Sequence, residues 1–318
     1  MDVQTIIDNA LSQGDNVSES DAAYIERRRR ALTFLTEVFN DCYWARDWPR
    51  RKTQADLTVE AGAGQVAVPW DFAGFGQYGG LYRLVGGQAD REPLSEAPED
   101  VITDLKAGAF QTDEPESFAI YGVEAVGIDA FRDLIQIATN PSELTFRAHY
   151  LRKPPKLLDA GDPDAADTLE LGGLTRTGGT ATATTASAHG FATDDHVVIA
   201  GADQSEYNGS HRIVVTGTTT FTFDVDPAAV TPATGATITV AENVPLGNAA
   251  TAYISEEHHT TVLLTGLKAK LRESKGDARW KYYENQYQTG VAALKREKNR
   301  FQATPRRLPS FFGTPRWK

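Results

Sequence analysis

The sequence predicts an α+β fold: a helical core with a small antiparallel sheet, interrupted by an inserted all-β domain. Three observations predict it. Apolar residues recur at helical spacing near both ends of the chain, short runs of alternating polarity lie within residues 55–150, and a threonine-rich stretch with short β-branched runs fills residues 171–243. Because the helical pattern resumes afterwards, we expect residues 171–243 to form a separate inserted domain.

The composition is typical of a globular chain and excludes several classes of protein. Of the 318 residues, 41% are hydrophobic and 24% are charged. No window approaches the roughly 18 consecutive apolar residues of a membrane span, and the first residues lack the basic and apolar regions of a secretory signal. The single cysteine, Cys42, excludes an intrachain disulfide and a zinc site built from several cysteines.

Two helices are expected near the N-terminus. Residues 2–11 carry an apolar stripe at helical spacing. Ser18 and Ser20 precede acidic residues, which is an N-cap pattern. The second helix is therefore expected to continue from there to about Asp47, because Pro49 ends it.

The next segment changes to the period of a strand. Residues 55–59 and 65–69 alternate polar and apolar side chains around the Gly62–Gly64 turn, which predicts a β-hairpin. Four further apolar runs predict one small antiparallel sheet, at residues 118–121, 125–128, 134–137 and 144–150. With the terminal helices, this sheet is expected to form a core from residues 1–170 and 244–300.

The composition changes abruptly in the insert. Residues 175–240 hold sixteen threonines and no lysine, and glycine turns separate their short β-branched runs. Strands of such length and spacing indicate a small β-sandwich or barrel.

Two helices and an extended tail are expected at the C-terminus. The helices cover about residues 254–272 and 278–300, and the second carries an aromatic and apolar stripe. Residues 301–318 contain three prolines, which exclude a continuous helix, and four large aromatic residues, which disordered tails rarely contain. We therefore expect this tail to bury its aromatic side chains in a partner.

The charge of the chain is strongly polarised. Residues 268–318 hold fourteen Lys or Arg against four Asp or Glu, a balance of +10, whereas the rest of the chain carries −21. A basic end of this kind favours an acidic partner, either another protein or nucleic acid. The acidic remainder argues against a DNA-coating protein, because it would repel phosphate.

No residue pattern predicts catalysis, a metal or a cofactor. Gly62–Gly64 has the first glycines of a dinucleotide fingerprint, but no helix is predicted to follow it. His258–His259 are adjacent, so on a helix they point about 100° apart and cannot share one metal ion. Asp194–His196 are interpreted as turn residues rather than an acid–base group. We therefore expect a protein that is not an enzyme and has no cofactor.

A pattern of aromatic residues and helices extends over roughly residues 1–170 and 244–318. It combines Ala31–Leu35 and Trp44–Arg46 on the first long helix, a hairpin leading into Val68–Phe72, and a closing helix, Trp280–Arg300. This pattern resembles the head-to-tail adaptor (connector) proteins of tailed bacteriophages. Four segments of the insert resemble the small Ig-like β-modules of phage virion proteins: Thr185–Phe191, Asp194–Ile199, Gly201–Gly209 and Thr219–Phe223.

The resemblance implies an assembly, partners and a location. Such adaptors form twelve-subunit rings beneath the portal vertex, with helices facing the DNA channel and a C-terminal arm reaching into the portal protein. For this chain, the resemblance implies a homo-oligomer at the head–tail junction of the virion, assembled in the host cytoplasm. Its further partners would be a downstream tail, stopper or nozzle protein and, through transient non-specific contact, double-stranded DNA; no membrane is involved.

The resemblance also assigns residues to the interface with the portal. The implied arm is residues 301–318, and its aromatic and basic contacts are Phe301, Arg306, Arg307, Phe311, Phe312, Arg316, Trp317 and Lys318. On the preceding helix, the residues expected at the ring or portal interface are Tyr283, Tyr287, Lys295, Arg296 and Arg300.

A second hypothesis is a carbohydrate- or receptor-binding tail protein that uses the insert as its binding module. The insert has no tryptophan to stack on a sugar, and its few aromatic residues include some expected to point inward. A hydrolase is a third and weaker hypothesis, because no paired carboxylates stand out among ordinary surface acids.

Overall fold

The computed structural model describes residues 1–12, 22–46, 48–69, 71–76, 79–90, 92–108, 112, 114–127, 130–138, 140–162, 165 and 168–302. Its mixture of helices and sheets confirms the predicted α+β class. The α-helices within these ranges are α1 Val3–Leu11, α2 Ala22–Ala45, α3 Glu99–Ala107, α4 Val244–Asn248, α5 Thr265–Ser274 and α6 Trp280–Gln302.

The described strands outnumber the helices and form three sheets. They are β1 Lys52–Val59, β2 Gln65–Ala67, β3 Phe72–Gly74, β4 Gly80–Val85, β5 Gln88–Ala89, β6 Ser95–Glu96, β7 Ser117–Gly127, β8 Ala130–Gln136, β9 Leu144–Arg152, β10 Leu169–Thr177, β11 Thr180–Thr185, β12 His196–Ala200, β13 Gly209–Arg212, β14 Val214–Val215, β15 Thr220–Asp224 and β16 Thr239–Glu242.

The chain divides into two compact units. The helical unit consists of Met1–Trp48 and Thr251–Lys318, and the strand unit consists of Pro49–Ala250. The helical unit contains α1, α2, α5 and α6, whereas the three sheets, α3 and α4 belong to the strand unit. The predicted boundaries at residues 170 and 244 stay predictions. The serines expected to cap α2 lie outside the described residues.

The core of the helical unit is formed where α2, α5 and α6 meet. Leu35, Phe39 and Cys42 of α2 are fully buried, in keeping with their i, i+4, i+7 spacing. Gly266 of α5 makes this close approach possible, because a Cβ atom there would lie 2.7 Å from Val38 Cγ1 and 2.9 Å from Tyr287 Cδ2. A π-helical turn, His259–Leu264, precedes α5 where the sequence predicts continuous α-helix.

The predicted hairpin around Gly62–Gly64 is wrong. β1 pairs with β9 in one sheet, whereas β2 pairs with β8 in another. The turn between them is held by Asn140, which is fully buried: its Oδ1 accepts from Gly64 N at 3.1 Å and its Nδ2 donates to Glu60 O at 2.9 Å. The hydrogen bonds of Asn140, which is distant in the sequence, therefore hold this turn in place of the backbone hydrogen bonds that would pair the two strands of a hairpin.

The single small sheet predicted for residues 118–150 is also wrong, because its strands separate into two sheets. In the first, the strand order is β1-β9-β4-β5, with β3 also on β9; in the second, it is β2-β8-β7-β6. The run at 118–121 and the described part of the run at 125–128 form one long strand, β7, whose register with β8 shifts twice. The two sheets share a core, because Phe146 of β9 and Phe118 of β7 belong to one buried cluster.

The insert is a seven-stranded sheet in the order β13-β12-β16-β10-β11-β15-β14. Its two end strands are separated along the chain by Ile213 alone, which is fully buried. The first and last strands of this order are therefore neighbouring stretches of one chain segment, β13 pairing with β12 and β14 pairing with β15. Inward-facing residues such as Phe221 and Val240 fill its interior.

Candidate functional site

Tyr287, one of the residues predicted at an interface, lies inside the helical unit. Its side chain is only 4% exposed, and its hydroxyl donates to Asp41 Oδ2 on α2 at 3.1 Å. Burial, together with nearby Cys42 and Asp41, raises the pKa of Tyr287. With Val291 and Leu294, which are also buried, Tyr287 holds α6 against the rest of the unit. Its ring is therefore not available to a partner in this conformation.

The exposed side of α6 carries a different aromatic residue. Tyr282 is 62% exposed, packs edge-on against Tyr283 and accepts a hydrogen bond from Gln286 Nε2 at 2.7 Å. Tyr283 is half-buried, with the guanidinium of Arg272 5.0 Å from its ring centre. Tyr282 is thus the aromatic side chain that α6 presents to solvent at this end, although the sequence prediction placed Tyr283 and Tyr287 there.

The basic residues of α6 extend towards its C-terminal end. Lys295 and Arg296 are exposed. Arg300 and Phe301 belong to α6, but their side chains lie outside the described part of the structure. The other predicted arm contacts lie outside the described residues altogether: Arg306, Arg307, Phe311, Phe312, Arg316, Trp317 and Lys318.

The start of α6 is fixed by Asp277, which sequence analysis did not single out. Its carboxylate accepts from Arg279 N at 2.9 Å and pairs with Arg272 Nη1 at 2.6 Å. These hydrogen bonds from Arg279 and Arg272 hold the pKa of Asp277 well below its usual range. The signal was present in the sequence, since an aspartate after Gly276 is a common way to begin a helix.

The division into two units coincides with a division of charge. The helical unit has 19 Lys or Arg and 15 Asp or Glu, giving +4, whereas the strand unit has 13 and 28, giving −15. The charge polarity of the sequence is therefore also a difference between two compact units, and the helical unit carries the basic C-terminal segment.

His259 and His189 have structural roles. His259 is buried; its Nδ1 accepts from the Met1 amine at 2.9 Å, so its Nε2 carries hydrogen and faces the Thr251 and Ile254 carbonyls at 3.0 and 2.9 Å. Burial lowers the pKa of His259. His189 Nδ1 accepts from Phe191 N at 3.0 Å in a turn of the insert. Among the described residues, no three His, Cys, Asp or Glu side chains are grouped to hold a metal ion.

One outer face of the insert is covered by threonines. Strand register aligns Thr182 with Thr175 on one side and Thr222 on the other, and Thr184 with Thr220. On β11, Thr180, Thr182 and Thr184 are exposed, whereas the alternating Ala181 and Ala183 face the core. Of the aromatic residues considered for sugar stacking, Tyr207, Phe221 and Phe223 are buried and Phe191 is half-buried.

Comparisons with known proteins give no assignment. No protein-family model matches the chain, and no curated protein sequence matches it. In the part of the chain that the structure describes, every helix is too short or too polar to cross a bilayer.

Proposed function

We propose that this chain is a structural head-to-tail adaptor of a tailed bacteriophage. Its subunits assemble into a ring that docks on the portal protein through the C-terminal arm, residues 301–318, and leaves a path for DNA. The arm inserts the aromatic side chains of Phe311, Phe312 and Trp317 into the portal, and its arginines pair with acidic groups there. The ring connects the portal to the tail and carries out no catalysis.

The observation that carries this proposal is the way α6 ends. Tyr287, Val291 and Leu294 fix the helix to the helical unit, and beyond them Lys295 and Arg296 begin a basic segment. The helix continues to Gln302 and so includes the first two residues of the proline-, arginine- and aromatic-rich arm. A rigid helix that leads into such a segment supports a docking function, because proline reduces the conformational entropy lost on binding.

The proposal also includes the finer description of the fold. In it, residues 1–170 and 244–300 form the adaptor core, and the insert is an Ig-like module on the outside of the ring. The likeness of the insert to Ig-like modules rests on its short threonine-rich strands.

The test is a truncation after Gln302, which leaves α6 complete. We expect the truncated protein to keep the circular dichroism spectrum of the full chain and the same distribution of particle masses in solution. It should no longer co-sediment with the portal protein of the same phage. A full-length variant with Phe311, Phe312 and Trp317 changed to alanine should lose binding in the same way. The matched control is Tyr282→Ala, which removes an exposed aromatic residue outside the arm. Unchanged co-sedimentation of the truncated protein would refute the proposal.

A second candidate function is glycan binding by the insert, and the threonine face favours it. Aligned hydroxyls on stiff β-branched side chains can donate and accept hydrogen bonds at little entropic cost. Binding of the full chain to a glycan array, abolished by Thr182→Val, would support this function over the adaptor. Absence of binding to any glycan would remove it.

A further inference from the structure

Two groups of charged side chains join the insert to the rest of the strand unit. On the parent side they come from the residue before β3, the end of β9 and the segment that follows β9; on the insert side they lie directly before β12 and at the ends of β13 and β16. We call them the ionic clasp, and its members are Asp71, Arg152, Lys156, Asp194, Asp195, Arg212 and Glu242.

The first group is centred on Asp71. Its carboxylate accepts from Tyr150 OH at 2.7 Å and pairs with Arg152 Nε at 3.2 Å. Arg212 of the insert reaches the same carboxylate at 4.0 Å and pairs with Asp194. Asp71 is therefore held on the parent sheet by two neighbours, and Arg212 links it to the insert.

Asp194 adopts a backbone conformation that non-glycine residues rarely adopt. Its φ angle is +80°, the only positive value at a described residue other than glycine. Its N–H donates to Ile213 O at 2.9 Å, which ties this turn to the strand that carries Arg212. Surrounding structure must maintain such a conformation, and here it directs a carboxylate to Arg212.

The second group is centred on Lys156. Its ammonium pairs with Asp195 Oδ2 at 3.1 Å and with Glu242. The Asp195 side chain is only 7% exposed, and it also accepts from Ala192 N at 2.8 Å. These carboxylates raise the pKa of Lys156 against the opposing effect of burial. Removing the lysine would leave a buried carboxylate without its counter-charge, which is far less favourable than losing a surface pair.

The chain segments that enter and leave the insert also touch each other. Gly247 of α4 lies so close to Leu158 that an added Cβ atom would be 2.6 Å from the leucine Cβ. Leu157, next to it, is buried. The clasp and this contact restrain the insert at separate points, which prevents rotation about any one of them.

We infer that the ionic clasp fixes the insert in one orientation on the parent sheet, so that the insert is a rigid platform and not a tethered domain. The inference does not depend on the portal-docking proposal. It assigns Asp71 and Lys156 as positioning residues, and it predicts that the orientation of the insert loosens when their charges are removed or screened.

The test measures the distance between two nitroxide labels by pulsed electron–electron double resonance. Gln88→Cys on β5 and Thr182→Cys on β11 place the labels at exposed positions of the parent sheet and the insert, while buried Cys42 stays unlabelled. With the clasp intact we expect one narrow distance distribution. In the Asp71→Asn, Lys156→Met double variant, we expect a distribution about twice as wide, because the insert then samples several orientations.

Two control variants test whether a broader distance distribution comes from loss of the clasp or from any change to the parent sheet. Arg147→Met removes a bidentate ion pair with Asp56, Nε–Oδ1 2.7 Å, from the same parent sheet, and should leave the distribution narrow. Lys156→Arg keeps the positive charge, so the distance distribution should also stay narrow.

If the double variant does not fold, the labelled wild-type clasp is measured in 1 M NaCl, where the Debye length is about 3 Å. The Lys156 side chain is 48% exposed and Arg212 is 30% exposed, so salt reaches both groups of the clasp, and the distribution should broaden. An unchanged width in the double variant and in salt, or equal broadening in Arg147→Met, would overturn the inference.

Discussion

Replacing Asn140 with alanine should destabilise the strand unit more than any ordinary surface change. The side chain is fully buried: Oδ1 accepts from Gly64 N at 3.1 Å, and Nδ2 reaches the carbonyls of Glu60 and Ser142 at 2.9 and 2.6 Å. Three hydrogen bonds at a net value of about 1 kcal/mol each give a loss of about 3 kcal/mol. The buried Gly64 N–H is also left without the carboxamide that it faces.

Urea unfolding followed by circular dichroism measures this loss. With a slope of about 3 kcal/mol per molar urea, the midpoint of the strand unit should fall by about 1 M. Hydrogen exchange at residues 60–64 should accelerate at the same time, since Asn140 holds this turn. The control is Asn285→Ala, at an exposed position of α6, where we expect a change within about 0.5 kcal/mol. Equal midpoints for the two variants would refute the reasoning.

Three further predictions test other buried groups. Burial lowers the pKa of His259 below its ordinary 6.5, so the stability due to the neutral ring is present above about pH 6.5 and is lost as the pH falls. His259→Gln should therefore flatten the dependence of the melting temperature on pH. An unchanged slope would contradict this assignment. Burial and Asp41 raise the pKa of Cys42 to about 12, so iodoacetamide at pH 8 should label the protein only after unfolding, as mass spectrometry would show. Gly201→Ala places a Cβ atom 2.1 Å from Thr237 O at a φ of +92° and should destabilise the insert by about 3 kcal/mol. The control Gly190→Ala, whose Cβ atom would have no atom within 4 Å, should destabilise it by only about 1 kcal/mol, as measured by calorimetry. Similar losses for the two variants would rule out the steric argument.

The aromatic stripe on α6 shows what the local sequence pattern predicts and what it leaves undecided. Spacing correctly predicted a helix that carries Tyr282, Tyr283 and Tyr287 on neighbouring turns. It could not decide which tyrosine points inward, because aromatic side chains suit both a core and an interface. The decision came from Asp41 and Gly266, which are distant in sequence: one accepts the hydroxyl of Tyr287, and the other leaves room for its ring.

The sequence alone determined the α+β class, most helices, most strands and the charge polarity, since all of these follow from composition and local periodicity. Tertiary structure alone decided that β1 pairs with β9 and not with β2, that two sheets replace one, and in which order the seven strands of the insert pair. It also brought Lys156 to Asp195 and Asp71 to Arg212. The physical reason is that periodicity shows which face of a strand is buried, whereas pairing depends on contacts between residues tens of positions apart, which no local pattern encodes.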